Sequence, residues 1–478
     1  MELTTLKFIV FFSLTTLLYY ISPSTIYKRC ILILGSTIYL LTFGWKSVLV
    51  LISNAITAFG VGVLLDKVTQ QSLRKAILAI GILSEVLMLA LLKYITPTLF
   101  NHESVVIPIG ISFYSLALIG YIADVFMKKI QIKKDLIDFL TFAMYFPHVL
   151  QGPIPRYQSF VKSLHQGVDS SLTYTRISYG AQLMLWGFIK KMVIADRLSI
   201  FVDSVYQNYD TARGTTLFFA SLMYTIQIYA DFSGCVDISF GMSDILGIKL
   251  QPNFQQPYLA KSIKDFWRRW HISLSNWLKD YIYIPLGGNR LGRVRKWINI
   301  LIVYAFSGLW HGVGLSFLAW GLLHGAYQII GELLGPIKKR AIALFQFRED
   351  RTAFSVLQIG ITLFFVSLGW IIFRINSIKT AFEVYKSIFL DISPWILTDG
   401  TLYQYGVSAN QWHALFIFVL LMVAVDLLHE SSINIRQKIA NQHLFVRWTI
   451  YFLGIISVFI FGAYGIGYDA ASFIYMNF

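Results

Sequence analysis

Long apolar runs are the feature that most constrains the fold of this chain. Several extend for roughly 18 residues or more with few charges, the length that a helix needs to cross a bilayer. Of the 478 residues, 56% are hydrophobic and 14% are charged, whereas a soluble domain carries about 25% charge. Because lipid cannot satisfy open backbone groups, and the short alternation of a barrel is missing, the sequence predicts an all-α polytopic membrane protein.

The apolar runs predict about eleven transmembrane helices, with broken or horizontal helices between them. No second composition regime, repeat or low-complexity linker interrupts the chain, so we predict a single domain over residues 1–478. The run 1–20 has neither a basic start nor a small-residue cleavage site and is predicted as a first span rather than a signal peptide. The twelve apolar runs from which this number is estimated lie near 3–21, 31–44, 48–65, 76–95, 107–127, 175–201, 214–247, 297–312, 314–335, 353–374, 412–429 and 448–466.

The net charge of +15 is concentrated in short loops between predicted spans. Loops 22–29, 66–75 and 128–135 are basic, whereas the alternate loops hold little beyond Lys46 and Lys93. This distribution is typical of the positive-inside rule and argues against a nucleic-acid partner. It predicts cytoplasmic basic loops and extracytoplasmic N- and C-termini.

Two features inside apolar segments stand out, and each leaves an alternative open. Segment 137–157 holds three prolines and a glycine between Pro147 and Pro155, and these residues forbid a continuous helix. We predict a re-entrant or half-helical segment, with a surface loop as the alternative. Asp231 and Asp237 lie within a predicted span, where a carboxylate is by default functional. The structural alternative is that they pair with arginines or cap a broken helix.

The two cysteines carry no chemistry by pattern. Cys30 and Cys235 lie in or beside apolar segments and match no metal-binding or disulfide spacing, so both are predicted as small buried residues.

Residues 266–325 form the segment that we predict to hold the active site. Its first part, 264–281, places aromatic and apolar residues at three- and four-residue steps, which predicts one amphipathic helix lying in the membrane interface. Pro285 ends this helix and a Gly-Gly-Asn turn follows. The predicted apolar face is Trp267, Trp270, His271, Leu274, Trp277, Leu278 and Tyr281. The opposite, charged face includes Lys264, Asp265, Arg268, Arg269, Ser273, Lys279 and Asp280.

Two histidines in this segment are the predicted catalytic residues. His311 lies in an apolar helix, where an unneeded imidazole is costly. A neutral imidazole can take a hydroxyl proton as that oxygen attacks a thioester, so His311 suits acyl transfer. Gly308 and Gly312 flank it and allow close approach of a helix or a thin substrate. His271 is the second candidate, with a hydrogen bond inside the interfacial helix as its structural alternative.

Other chemistries are less well supported by the residues. The two histidines are forty residues apart without a carboxylate at ligand spacing, so no metal site is predicted. No Gly-x-Ser-x-Gly elbow indicates a serine triad. Arg290, Arg293 and Arg295 could meet the phosphates of a coenzyme, although topogenic charge explains them equally well.

Three runs of this segment closely resemble the membrane-bound O-acyltransferase (MBOAT) superfamily. They are Phe266-Trp267-Arg268-Arg269-Trp270-His271, Tyr283 to Arg290 and Leu309-Trp310-His311-Gly312. The branch that they resemble most is the alginate O-acetyltransferase type, which includes peptidoglycan and other exopolysaccharide acetylation proteins. Four further matches extend the resemblance over most of the chain. They are Phe146-Pro147, Gln151 to Ile154, Asp231 to Gly234 and the tail Phe473-Ile474-Tyr475.

The resemblance implies a fold and a reaction. The fold would be a ring of tilted helices around a central funnel in a bacterial cytoplasmic membrane. Acetyl-CoA would donate from the cytoplasm, with no permanently bound cofactor, and an external polysaccharide would be acetylated through an extracytoplasmic SGNH-type esterase-like partner. His311 would be catalytic and His271 a second essential histidine. The expected substrate-contacting or tunnel-lining residues are Trp267, Trp270, Ser275, Asp231, Ser233, Trp310 and Asn289.

Three functions remain as hypotheses at this point. The first is the acetyltransferase, with His311 as general base and His271 orienting donor or acceptor. The second is a D-alanyl transferase of teichoic acid that takes its acyl group from a carrier protein. The third is a lipid or polysaccharide transporter without chemistry, since discontinuous helices and intramembrane charge are common in transporters.

Overall fold

A computed structural model describes residues 1–95, 108–131, 134–344 and 351–464 of the chain. Within these ranges the regular elements are all helical, as predicted. The motif residues Phe473 to Tyr475 lie outside the described residues, as do Lys133 and the beginning of the predicted span 107–127.

The helices of the first half follow the predicted spans closely. They are α1 (Leu6–Ile21), α2 (Thr25–Leu41), α3 (Trp45–Lys67), α4 (Gln71–Ala90, continued by a π-helical turn Leu91–Ile95), α5 (Ile111–Phe126), α6 (Leu136–Met144), α7 (Phe146–Val149), α8 (Tyr157–Val168), α9 (Tyr174–Phe188, continued by a π-helix Ile189–Ala195), α10 (Asp196–Gln207) and α11 (Gly214–Leu246).

The second half begins with short helices and then resumes long ones. They are a 3₁₀ turn (Pro257–Leu259), α12 (Ile263–Arg269), α13 (Ile272–Leu278, continued by a π-helical turn Lys279–Tyr283), α14 (Arg293–His311), α15 (Leu315–Leu333), α16 (Gly335–Leu344), α17 (Thr352–Ile375), α18 (Ile378–Leu390), 3₁₀ turns (Pro394–Leu397 and Thr401–Tyr405), α19 (Ala409–Glu430), α20 (Ile435–Ala440) and α21 (Leu444–Phe461).

Five helices in the described part are long and apolar enough to cross a membrane: α3, α4 with its π-helical turn, α17, α19 and α21. They leave much apolar surface uncovered by protein, and α21 has no buried residue at all. Exposed apolar surface of this extent suits lipid and not water. The count of eleven spans, the funnel and the orientation of the termini stay predictions.

The described residues pack as two compact units, 1–187 with 235–252, and 188–234 with 253–478. The prediction of one domain is not tested by this division. The first unit has an aromatic core in which Phe139 contacts Tyr121 with ring centroids 4.6 Å apart. Arg29 forms ion pairs with Asp135 and the fully buried Asp138, which also accepts a hydrogen bond from His165 at 2.6 Å.

The predicted break in segment 137–157 is confirmed in the first unit. Helix α6 ends at Met144, α7 is a single turn with Pro147 near its start, and residues 150–156 are not helical. Residues 141–154 are buried, so the surface-loop alternative is wrong. Gly110 shows how closely the chain packs there: its φ is +75°, and a Cβ would lie 2.7 Å from the Val149 carbonyl oxygen.

Helices α14 and α15 of the second unit pack through glycines. A Cβ on Gly308 would collide with the carbonyl of Phe317, and one on Gly321 with the carbonyl of Tyr304. The close approach predicted at Gly308 is therefore made by a neighbouring helix of the protein. This contact fixes the end of α14, where His311 lies, against the start of α15.

The prediction for the cysteines is correct for one of the two. Cys235 is buried, but Cys30 is exposed on α2. An apolar neighbourhood does not require burial inside the protein when apolar helix faces are turned outward, as they are on α2.

Candidate active site

The predicted helix 264–281 is wrong in one respect: it is interrupted at His271. Helix α12 ends at Arg269, His271 adopts the left-handed conformation with φ +44°, and α13 starts at Ile272. A non-glycine residue in this conformation is uncommon and costs roughly 1–3 kcal/mol unless the surroundings hold it. Six of the seven residues of the predicted apolar face are nevertheless buried, with Trp267, Trp270 and His271 each at most 8% exposed, whereas Tyr281 is half-buried.

Asn253 holds the break in place. Its backbone carbonyl accepts from Ile272 N at 2.9 Å, and its side-chain Oδ1 accepts from both Ser273 N at 3.2 Å and Ser273 Oγ at 2.8 Å. These bonds take backbone donors that a continuous helix would use internally. They also bury Ser273, which was predicted on the polar face.

Asn253 also determines the tautomer of His271. Oδ1 lies 3.3 Å from His271 Nδ1. Because the Ser273 backbone N–H identifies that atom as the oxygen, Nδ1 of His271 must carry the hydrogen and donate it. In the neutral ring Nε2 is then the hydrogen-bond acceptor. Sequence reasoning missed Asn253, because it is eighteen residues before the histidine that it contacts.

His311 and His271 are brought together, although they are forty residues apart in sequence. Their ring centroids are 6.4 Å apart, and the indole of Trp310 contacts both, at 4.8 Å from His311 and 5.9 Å from His271. A donor and an acceptor bound side by side, each at an ordinary hydrogen-bond length of about 3 Å, could each contact one of the two rings. This is the arrangement that the two-histidine hypothesis needs.

The His311 imidazole is enclosed by aromatic rings. Trp320 lies 5.1 Å and Phe373 5.6 Å from it, centroid to centroid, and the residue is 3% exposed. Gly312 ends the helix, and a Cβ there would collide with the Phe317 ring. The His311 ring is therefore almost completely enclosed by side chains, and the central funnel that the resemblance implies stays a prediction.

A third histidine, His324, was missed by the sequence analysis. It lies on α15 and is fully buried, and its Nδ1 accepts a hydrogen bond from Trp267 Nε1 at 3.3 Å. Trp320 contacts His324 at 5.2 Å as well as His311, so the three histidines belong to one aromatic cluster. The argument that singled out His311, an imidazole in an apolar helix, applies equally to His324.

Asp231 and Ser233 lie on α11 in a network of buried charges. Lys191 bridges Asp231 at 2.7 Å and Asp196 at 2.8 Å, and Lys190 donates to Ser233 Oγ at 2.9 Å. The structural alternative for Asp231 is therefore correct in kind, but the partner is a lysine on a π-helix and not an arginine. Helix α11 is also continuous, so no aspartate caps a break.

The charged network connects to the histidines through one aromatic ring. Phe232, between Asp231 and Ser233, packs edge-on against His271 with centroids 4.9 Å apart. The ion pairs thus fix the backbone from which this ring contacts the site. Direct contact of Asp231 or Ser233 with a substrate stays a prediction.

The remaining predicted residues lie at more peripheral positions. Ser275 donates to the Trp270 carbonyl at 3.4 Å, and Asn289 is exposed. Asn299 fixes the turn before Asn289 by donating to the carbonyls of Leu286 and Gly288 at 3.2 and 2.9 Å. Their substrate contacts stay predictions.

The predicted donor-phosphate arginines are exposed around the start of α14. Arg290, Arg293 and Arg295 form no ion pair with a residue that the structure describes. Arg269 on α12 differs, since it makes a bidentate pair with Glu430 at 2.7 and 3.1 Å. That pairing raises the pKa of Arg269 and occupies its guanidinium.

The distance between arginines and imidazole follows from helix geometry. The eighteen-residue separation of Arg293 and His311 along α14 corresponds to about 27 Å. A donor that contacted both ends would need a long, flexible arm.

Within the described ranges no group of three His, Cys, Asp or Glu side chains could hold a metal ion.

Residues 129–376 match the profile of the MBOAT, membrane-bound O-acyltransferase, family. The chain belongs to this family. The resemblance inferred from the tryptophan–histidine motifs is thereby confirmed, and with the apolar helices it indicates a multi-pass membrane protein. The matched range contains Asp231, His271 and His311.

Curated relatives carry three kinds of name. A probable alginate O-acetylase AlgI of Pseudomonas syringae pv. tomato is 37% identical over 303 residues, covering 63% of this chain and 55% of the relative. A peptidoglycan O-acetyltransferase of Helicobacter pylori is 29% identical over 77% of this chain and 75% of its own length. A teichoic acid D-alanyltransferase of Bacillus subtilis is 28% identical over 55% of this chain and 68% of its own length. The chain thus spans little more than half of the alginate protein's length.

Proposed function

We propose that this protein is a membrane O-acyltransferase that passes acetyl from cytoplasmic acetyl-CoA towards an extracytoplasmic polysaccharide, such as alginate, peptidoglycan or another exopolysaccharide. The observation that carries the proposal is the pairing of His271 and His311 at 6.4 Å in a buried aromatic cluster. Family membership and the acetyltransferase names of two relatives support the same reaction.

In the proposed reaction His311 is the general base. Its imidazole takes the proton of an acceptor hydroxyl as that oxygen attacks the thioester carbonyl carbon. The carbon–sulfur bond then breaks, the ester forms, and the proton passes from His311 to the leaving thiolate. His311 thus returns to its neutral form after each transfer. Burial favours the neutral ring that this role needs, because a charged imidazole loses hydration there.

His271 is proposed to orient the reacting groups. Its Nδ1 hydrogen is engaged by Asn253, so Nε2 can accept a hydrogen bond from an O–H or N–H group. An N–H group of the donor bound there would hold the thioester beside His311, while His311 removes the proton of the acceptor hydroxyl. Fixing one reactant in this way can contribute several kcal/mol to catalysis.

The donor is proposed to enter at the basic end of α14. The exposed Arg290, Arg293 and Arg295 suit the phosphates of a coenzyme, and their basic loop suits the cytoplasmic face. On the opposite face we propose a polysaccharide acceptor reached through an extracytoplasmic SGNH-type partner. The bilayer is that of a bacterial cytoplasmic membrane, with both termini outside.

O-acetylation in cells tests the proposal. A strain that lacks the chromosomal gene is complemented with the wild-type chain, His311→Ala, or His413→Ala as a matched control at an exposed histidine of α19. We expect ester-linked acetyl on the polysaccharide to disappear only with His311→Ala, at equal protein level in the membrane. Normal acetylation by His311→Ala would contradict the proposed mechanism and favour the transporter hypothesis.

A D-alanyl transferase is the second candidate, because one relative bears that name. The two functions differ in donor and product. Purified protein given acetyl-CoA or a D-alanyl carrier protein should release thiol from the acetyl donor. Turnover of the carrier-bound donor alone would favour the second candidate.

A further inference from the structure

His324 is a buried imidazole whose tautomer is determined by its neighbour. The indole Nε1–H of Trp267 points at Nδ1 of His324, at 3.3 Å. An indole N–H can only donate, so Nδ1 must accept and the hydrogen of the neutral ring is on Nε2. His324 therefore presents a donor where His271 presents an acceptor.

The Nε2 hydrogen of His324 has no hydrogen-bond acceptor among the residues that the structure describes. This nitrogen faces Gly369 on α17, and a Cβ added there would lie 2.7 Å from it. A fully buried N–H group without an acceptor is costly and rare, so its presence calls for a ligand. The absent side chain at Gly369 lets the imidazole edge lie directly against α17, so a ligand at this donor has to displace part of the packing around it.

Two indoles next to His324 share this property. The Nε1–H groups of Trp320 and Trp370 are buried and have no hydrogen-bond acceptor within the described ranges. Trp320 lies 5.2 Å from His324 and stacks on Trp370 at 5.6 Å, while Trp370 lies 6.2 Å from His324, all between centroids. We call these three residues the donor cluster.

The composition of the donor cluster selects the chemistry of its ligand. It offers three N–H groups and no charge, which suits a neutral acceptor such as a carbonyl oxygen and disfavours a cation. The Trp320 ring contacts both His324 and His311, at 5.2 and 5.1 Å between centroids, so we assign an oxygen bound at His324 to a part of the donor about one ring away from the reacting carbonyl. It is therefore not the oxygen of the reacting thioester.

Resting on the proposed function, we propose that His324 Nε2–H binds an amide carbonyl oxygen in the pantetheine arm of the acyl donor. This arm carries its first amide a few bonds from the sulfur, which suits a site separated from His311 by one indole ring. The arm is common to the coenzyme and to carrier proteins, so the residue serves either source.

Two small thioesters test the proposal with the full chain in membranes of the complemented strain. S-acetyl-N-acetylcysteamine contains the first amide of the arm, and an alkyl thioacetate of equal length lacks it. We expect the wild-type chain to favour the amide-containing thioester about tenfold in kcat/KM, the effect of one buried hydrogen bond. His324→Phe, which keeps an aromatic ring, should lose this preference, and His324→Gln, which keeps an N–H donor, should retain part of it.

The outcomes separate the two proposals. If the wild-type chain releases thiol from neither thioester nor from acetyl-CoA, the proposed function fails. If turnover occurs and His324→Phe keeps the tenfold preference, the role of His324 is wrong. Should His324→Phe not reach the membrane, Gly369→Ala decides, because its methyl group would lie 2.7 Å from Nε2 and displace the imidazole. An unchanged preference in that variant contradicts the proposal.

The source of the arm is tested with the same variants. His324→Phe should lower kcat/KM about equally for acetyl-CoA and for an acetylated carrier protein, if both are turned over, because the arm is shared. If His324→Phe leaves kcat/KM unchanged for both full donors, binding of the amide is contradicted.

Discussion

The most informative single substitution is at Asn253, the residue that holds the helix break and the His271 ring. Its Oδ1 accepts three hydrogen bonds, from Ser273 N, Ser273 Oγ and His271 Nδ1. Asn253→Ala removes the acceptor of these three hydrogen bonds, at about 1–3 kcal/mol for each buried donor affected. We expect a lower melting temperature and a drop in kcat of about 10- to 100-fold, since a displaced catalytic ring costs that much.

Two further variants separate orientation from simple damage. Ser273→Ala removes one donor and leaves the contact of Asn253 with His271, so near-normal kcat is expected. Asn253→Asp keeps every acceptor but places a carboxylate beside His271. A neighbouring carboxylate raises the pKa of an imidazole, by about 1–3 units. Because the charged ring cannot accept at Nε2, activity should be lost at low pH and return as the pH rises.

The assay is thiol release from acetyl-CoA between pH 4 and 9 by the full chain in vesicles, with melting temperatures measured on the same samples. The reasoning about the tautomer is refuted if Asn253→Ala keeps the wild-type kcat. It is also refuted if the activity of Asn253→Asp depends on pH just as that of the wild-type chain does.

Three other predictions address the packing, the charges and the donor site. Gly308→Ala should separate α14 from α15 and lower both the melting temperature and the activity. Gly331→Ala, at an open position on α15, should change neither. If the two variants behave alike, close packing at Gly308 does not matter. Lys191→Met removes the ammonium group that two buried carboxylates share, at a cost of about 3–5 kcal/mol, so little folded protein is expected. A normal melting temperature would show that the ion pairs contribute nothing. Replacing the three arginines of loop 290–295 by glutamine should raise KM for acetyl-CoA and leave kcat unchanged; an unchanged KM would assign them to topology alone.

Much of the fold follows from local sequence. The length of the apolar runs suffices to predict the long helices, and the position of the prolines suffices to predict the break at Pro147. Both structural features depend only on neighbouring residues and on the surrounding lipid. The periodicity of 264–281 also identified the buried Trp267 and Trp270. It could not reveal the break at His271, because Asn253 makes that break through contacts from outside the segment.

The same limit applies to the site. His311 was found because an imidazole in an apolar run is costly, and this reasoning would also have found His324, thirteen residues later. The lysines that neutralise Asp231 follow no pattern near it, since they lie on a π-helix forty residues earlier. Pairing of distant charges is a property of the packed structure and leaves no periodic signal.

The central claim is that the imidazole of His311 performs acyl transfer. Vesicles containing the purified full chain and radiolabelled acetyl-CoA test it most directly, by comparing label transferred to an added acceptor with label transferred by His311→Gln at equal protein and equal melting temperature. The account predicts that His311→Gln transfers at least about 100-fold less, the contribution of a general base. Transfer at the wild-type rate by this variant would contradict it.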